Sequence, residues 1–462
     1  MIRLCNGPLE TLDGLQQQGF SIWSSKPAMP LSNPEYDILS NQGAFVLPLQ
    51  WLCHILLEAY FAYIAPTVPI LNRGEFMQSF FSSHSEQRTF SHLLVNAVLL
   101  AGCRVCSHPC IRDGDGSTQR LSSLFYQRAK ALYDAEYESD KVCVVQALTL
   151  LGWYWEGPEG IMDNSFHWTQ VAITVARGLG MHRSMKNSGL PGHEKRLRKR
   201  IWWTLFCRER TLALSRGRPF TIRESDTDIE EVTADDFEEL PHSREDVTVR
   251  YFLQYIKLSR LVGEILQQRQ LFSKTTLTPS SSSSLRLKHK LEFEHRLHSW
   301  YDELPADLRW EPANQDIWSS ILQLYYYAVL CLLYIVPTHK GTSAILARDV
   351  GSRTEQHFGL RRATTDASMI SCILAKLRAF GQINFVPCFT VYSACVAMIV
   401  HANEILHPMN DEDDVDAAAH RIQLEICINA LGDLSKSWLV AELCLDIASP
   451  VIDRLRTYRM VV

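Results

Sequence analysis

Trp168, Val171, Ala172, Val175, Ala176 and Leu179 stand at offsets 0, 3, 4, 7, 8 and 11, one apolar face of an α-helix. The same period recurs along most of the chain, and no convincing run alternates at period 2 between Gly, Pro or Asn punctuation. The expectation is an all-α protein, a multi-helix assembly of antiparallel helical hairpins. Its first half reads as helices over Trp51–Tyr63, Gly74–Phe81, Leu93–Cys106, Leu121–Leu132 and Val142–Trp155. The helix of Trp168 follows, with Asp163, Asn164 and Ser165 as cap candidates and Gly178 and Gly180 near its end. The next carries Leu197, Ile201, Leu205 and Leu212 and stops at Gly217 and Pro219. Later helices are read at Tyr251–Ile265, Leu285–Tyr301, Ile317–Val336, Arg362–Phe380, Val386–Leu406, Val415–Leu434 and Val440–Tyr458.

Punctuation divides the 462 residues into three expected parts. Residues 1–45 hold Pro8, Pro27, Pro30 and Pro34 without a sustained period and read as a loosely structured lead-in. Residues 46–235 form a core domain, and 236–462 a C-terminal helical half with a Ser-rich linker at 275–284. Glu224 to Glu239 contains nine carboxylates and no basic residue, which predicts an extended acidic connector; Ile229, Val232 and Phe237 give it a superficial likeness to an acidic-hydrophobic activation segment.

Composition narrows the function classes. The formal net charge of −5 gives no whole-chain polyanion-binding surface, and 46% hydrophobic residues exclude a chain disordered throughout. No apolar h-region follows Arg3, and thirteen cysteines scattered mostly in apolar runs predict reduced thiols in an intracellular protein. The stretch from Ile317 to His339 is long enough to cross a bilayer, but Ser319, Ser320, Gln323 and Tyr325–Tyr327 fit a helix buried on all sides, and no membrane partner is expected.

Sites of chemistry are sparse. GxGxxG, GxxxxGK[ST], GxSxG and HExxH are all missing, so no enzyme is expected. Cys103, Cys106 and Cys110 with His108 have zinc-like spacing, yet Cys103 and Cys106 end an apolar helix where cysteine packs as a small hydrophobe. His295 and His298 stand three apart on a helix, with no thiolate or paired carboxylate to complete a site. Lys195, Arg196, Arg198, Lys199 and Arg200 form a basic run that reads either as a nuclear-import or phosphate-contacting patch, or as the solvated start of a helix whose arginines pair with the acidic connector.

Several segments, in order, resemble the fungal-specific transcription factor domain, the middle homology region of binuclear zinc cluster regulators. They include WLCHILLEAYFAYIAPTVPILNRGEFMQSF (Trp51 to Phe80), LLVNAVLLAGCR (Leu93 to Arg104) and LFYQRAKALYDAEYESDKVCVVQALTLLGWY (Leu124 to Tyr154). AITVARGLGMHR, RKRIWWTLF, RGRP and the tail IRESDTDI between Trp168 and Glu230 are the most specific part. HSWYDELPADL and ILQLYYYAVLCLLYIVP carry the likeness to Pro337. The resemblance implies a structural motif at Trp168, Gly180, His182, Arg183, Arg200, Trp202, Trp203, Gly217, Arg218 and Pro219. It also implies a nuclear regulator of RNA polymerase II transcription of metabolic or biosynthetic genes, a homo- or heterodimer, and a small-molecule effector between the helices. Relatives of this kind hold zinc in six cysteines that dock a helix in the DNA major groove. Only Cys5 precedes Cys53 here, so no cofactor is expected in this chain, and DNA contact is expected to depend on a cluster outside it or on a partner. The alternative is an interaction protein that dimerises with an intact zinc-cluster regulator and modulates it.

Overall fold

The computed structural model describes residues 20–22, 33–81, 90–155, 157, 164–237, 246–274, 279–313, 316–335, 350–406 and 414–457. Fifteen α-helices carry the fold among them, and the only strands among the described residues are a short antiparallel pair, β1 (Phe20–Ile22) and β2 (Val46–Pro48). The described residues group into two compact units. The first runs to Glu209 and resumes at Thr221, and the second comprises Arg210–Phe220 and the residues after the acidic segment.

In the first unit the helices are α1 (Asn33–Asn41), α2 (Gln50–Tyr63), α3 (Arg73–Phe81), α4 (His92–Val105), α5 (Gln119–Asp134), α6 (Lys141–Leu151), α7 (Asn164–Gly178) and most of α8 (Gly192–Arg216). Helix α4 is its centre: all fourteen of its residues are buried, and α2, α5 and α6 pack around it. A helix covered on every side has no solvent face, and its polar His92, Asn96 and Arg104 are buried with the rest. Ser91 caps it by accepting from Leu94 N at 3.1 Å, and Asp140 caps α6 by accepting from Val142 N at 2.8 Å.

His92, the first residue of α4, is 1% exposed amid Phe45, Phe90 and Tyr137, and burial pushes its imidazole down from 6.5 to about 4. Between those values the unfolded chain binds a proton that the folded chain excludes, so stability is full above pH 6.5 and falls as pH drops. His92→Phe is expected to remove about 2 kcal/mol of the loss between pH 7 and pH 5, read as the difference between denaturant unfolding curves of the two proteins. Parallel pH profiles for the two proteins would contradict it.

The second unit contains α9 (Val247–Lys274), α10 (Pro279–Asp302), α11 (Ile317–Tyr334), α12 (Val350–Ala379), α13 (Phe389–Leu406), α14 (Asp414–Leu434) and α15 (Leu439–Thr457). Helix α11 plays the part of α4 here, with α9, α10, α12 and α13 against it and Asp316 as its cap through Ser319 N at 2.8 Å. Its apolar window is 89% buried inside the protein, the covering expected of a core helix. Phe389–Leu406 also has the length and apolarity of a membrane span and is 56% buried.

Three expectations need correction. Part of the lead-in is packed: α1 is helical, and Leu39, Ala44 and Phe45 are buried, Phe45 against the rings of Tyr36, His92 and Tyr137, while residues 1–19 and 23–32 lie outside the described residues. The Ser-rich linker is helical from Pro279, which starts α10 at the first-turn position proline tolerates; residues 275–278 lie outside the described residues. The acidic segment is not an extended connector. Ile222, Ile229, Val232, Asp236 and Phe237 are buried, since the segment folds back on α8.

Candidate functional site

The motif segments Trp168 to Glu209 and Thr221 to Phe237 lie within the first unit. Helix α7 ends in a left-handed Gly180 at φ +69°, with Met181 N bonded to Ala176 O at 3.0 Å and Gly180 N to Arg177 O at 2.9 Å, the paired bonds of a Schellman cap. That cap turns the chain so that the His182 carbonyl accepts from Thr227 Oγ1 at 2.8 Å and from Asp228 N at 3.2 Å. The His182 ring lies 5.6 Å from Trp202, and burial with the nearby Arg183 and Arg177 charges lowers its basicity. Arg183 stays exposed, 3.6 Å from Asp228. Trp168 Nε1 donates to Tyr126 Oη at 3.2 Å, so the residue that opens the motif is a core anchor.

The basic run occupies the first turns of α8 and is not the solvated surface its charge suggests. None of its five cations is exposed. Lys195 Nζ donates to Lys186 O at 3.3 Å, and Arg198 sits 3.6 Å from Glu194. Arg196 is half-buried. Lys199 Nζ reaches Asp236 Oδ2 at 2.8 Å and Glu231 O at 3.3 Å. Arg200, 2% exposed, hydrogen-bonds Asn72 and lies 5.1 Å over the Phe237 ring. Trp202 and Trp203 are buried on the same turns, and Trp203 Nε1 donates to Glu230 O at 2.9 Å. Basic helix and acidic segment thus hold each other, through a lysine more than through the expected arginines. Gly217 ends α8 at φ +62°, and Arg218 and Pro219 follow on the surface of the second unit.

Three residues central to this arrangement are not signalled by the sequence pattern. Glu209, 1% exposed on α8, accepts from Thr221 N and Oγ1 at 2.7 Å, Ile222 N at 2.9 Å and Gln170 Nε2 at 3.0 Å. Arg208 Nη2 donates to Gly152 O at 2.6 Å. Asp236 also accepts from Thr233 N at 2.8 Å, closing the turn Ala234–Phe237. The signal available was one of position: Arg208, Glu209 and Arg210 interrupt an apolar run, where charge is tolerated only with partners.

The first unit also carries a groove of about 530 Å³ between α1 and α5, lined by Ile38, Leu39, Gln42, Leu124 and Arg128 among others. Arg128, buried at its floor, donates to Val46 O at 2.8 Å, and burial lowers its guanidinium to about 10. In the second unit, Glu294 accepts from Tyr334 Oη at 2.6 Å and pairs with Arg362 at 2.7 Å. Burial, then the Glu294 charge, raises the Asp366 carboxyl to about 7.

The remaining candidates do not converge. Cys103 and Cys106 are buried, burial pushing Cys103 up to about 12, while His108 Nδ1 lies 2.8 Å from the exposed Cys110 Sγ. His298 contacts Tyr326 Oη at 2.8 Å and His295 is exposed apart from it. Among the described residues no three His, Cys, Asp or Glu gather as metal ligands. Ser371, His401 and His420 form a chain, with 3.2 Å from Ser371 Oγ to His401 Nε2 and 3.2 Å between the histidine Nδ1 atoms. Ser371 and His401 are fully buried, and burial lowers His401 to about 4, while His420 is partly exposed at the outer end of the network.

The family described as fungal specific transcription factor domain matches residues 57–302. Cutinase transcription factor 1 alpha of Fusarium vanettenii is 38% identical over 91% of this chain and 45% of its own length. Acetamidase regulatory protein of Aspergillus fumigatus is 29% identical over 77% of this chain and 43% of its own length. The chain spans less than half the length of these relatives.

Proposed function

The chain belongs to the fungal specific transcription factor domain family, and from that premise we propose that it is the regulatory part of a nuclear regulator of RNA polymerase II transcription. The family and these relatives are transcription factors, not enzymes. The observation that carries the reading is the match over residues 57–302, which includes the whole of α7, α8 and the acidic segment they hold. The relatives' names point to a cutinase and an acetamidase, so the controlled genes are taken to be metabolic ones.

DNA contact is assigned to a part of the protein outside these residues or to a zinc-cluster partner, since the relatives extend well beyond the matched length. The groove between α1 and α5 is the place offered to a small effector. Because the acidic segment is packed, it acts as part of the domain's frame rather than as a free activating arm.

Tethered to a heterologous DNA-binding domain in a fungal host, the chain is expected to change a reporter several-fold and to accumulate in the nucleus. A silent reporter, together with an unchanged transcript set when the gene is deleted, would overturn the reading. Co-purification from its own host separates a self-sufficient regulator from one that works through a zinc-cluster partner.

A further inference from the structure

In the first unit, the turn that follows α7 is a fastening point for residues 227–230 of the acidic segment. Thr227 Oγ1 and Asp228 N donate to the His182 carbonyl at 2.8 and 3.2 Å. Ser184 N donates to Asp228 Oδ1 at 3.2 Å, and the Ser184 hydroxyl donates to the Glu230 carboxylate. Two cations of the same stretch complete the contact: Arg183 Nη1 lies 3.6 Å from Asp228 Oδ1, and Lys186 Nζ lies 3.7 Å from Glu230 Oε1. Burial works against the Glu230 charge, yet the Ser184 hydroxyl, with Lys186 and Lys199, holds that carboxyl below its usual range. Ser184 thus meets two carboxylates of the segment, one through its amide and one through its hydroxyl. Its side chain is exposed, within reach of an enzyme from solvent.

We propose that Ser184 is a phosphorylation site for a serine/threonine kinase that reads basic flanks, and that its phosphate unfastens residues 227–230. Arg183 and Lys186 supply the basic flank. Ser184 Oγ attacks the γ-phosphorus of ATP, forming an O–P bond as the bond to the bridging oxygen of the departing ADP breaks. The catalytic aspartate of the kinase takes the hydroxyl proton. The phosphate differs from the hydroxyl in two ways that act in one direction. It presents acceptor oxygens where the hydroxyl donated, and it sets a charge of about −1.5 to −2 beside Asp228 and Glu230. It also competes for Arg183 and Lys186, the cations that hold those carboxylates in the unmodified chain. Repulsion and competition both strip residues 227–230 of their partners. The release is local, because Glu209 holds Ile222 N at 2.9 Å and Lys199 holds Asp236 at 2.8 Å, contacts in which Ser184 takes no part.

The test incubates the full chain with magnesium ATP and a soluble extract of its own host, then maps phosphopeptides. Phosphate is expected on Ser184 and absent from that peptide in Ser184→Ala. Hydrogen exchange then compares the phosphorylated chain with the unmodified one. The Asp228 amide is expected to exchange at least about tenfold faster after phosphorylation, with Ile222 and Asp236 within about twofold, and phosphatase treatment restores the slow rate. Ser184→Ala loses the hydroxyl bond without gaining charge, so its Asp228 amide is expected to stay within about threefold of wild type. That variant separates the effect of the charge from the loss of one bond. No phosphate on Ser184 would overturn the proposal, and so would phosphate there with an unchanged Asp228 amide. Equal acceleration at Ile222 and Asp236 would overturn it too, since it would mean unfolding of the whole segment. Every readout is on the chain itself and stands whether or not the transcriptional reading holds.

Discussion

Gly102→Ala is expected to destabilise the first unit by about 2–4 kcal/mol, against the gain that helix propensity alone would give. Gly102 lies inside α4, where an alanine in an open helix would add about 1 kcal/mol of stability. Here a Cβ would sit 2.1 Å from the Leu56 carbonyl oxygen and 3.0 Å from its carbon, both backbone atoms of α2. Backbone cannot rotate aside as a side chain can, so α2 and α4 must separate, and the packing of a wholly buried helix separates with them. Gly74 on α3 has nothing within 4 Å of its Cβ position and is the matched control. Denaturant midpoints for Gly102→Ala and Gly74→Ala decide the matter. Equal midpoints, or a stabilised Gly102→Ala, would show that the helices do not meet this closely.

The second large effect falls on Glu209. Glu209→Ala removes the acceptor of two backbone N–H groups, Thr221 and Ile222, at the point where the chain re-enters the first unit. Each buried N–H left without a partner costs about 1–3 kcal/mol, so a loss of about 3 kcal/mol or more is expected. The loss is directional. Thr221 and Ile222 lead into the acidic segment, so limited proteolysis of the variant is expected to cut within residues 224–237 while α2, α4 and α5 stay protected. Glu209→Gln keeps an acceptor oxygen but turns an amide N–H₂ toward donors, and an intermediate loss is expected. Wild-type stability and an uncut segment in Glu209→Ala would remove Glu209 from this role.

The helices were largely legible because each buries a stripe that its own spacing reveals. Trp168 to Leu179 foretells α7, and the apolar runs at Leu93 and Ile317 foretell the two central helices α4 and α11. What the sequence concealed depends on partners far along the chain. Ile229, Val232 and Phe237 follow neither a helical nor a strand period, and the carboxylates between them dominate any local reading. Their burial is decided by Lys199, Arg200 and Trp203, thirty or so residues earlier. The basic run misleads in the same way, since one turn of a helix cannot reveal which charges meet acids. Phe45 looks like a stray apolar residue until the rings of Tyr36, His92 and Tyr137 close around it. Of the motif residues, Trp168, Trp202 and Trp203 are buried and Gly180 caps α7, whereas the partners of Glu209, Arg208 and Asp236 emerge only from the folded chain.

The acidic segment is a strap fastened to the basic start of α8, an integral part of the domain. Hydrogen exchange resolved over residues 221–237 tests it most directly. The amides of Ile222, Asp228 and Asp236 donate to Glu209, to the His182 carbonyl and to the Thr233 carbonyl, so slow exchange comparable to that of α7 is predicted at these positions. Exchange at the rate of an unstructured peptide across the segment would contradict the account and return the acidic run to a free arm.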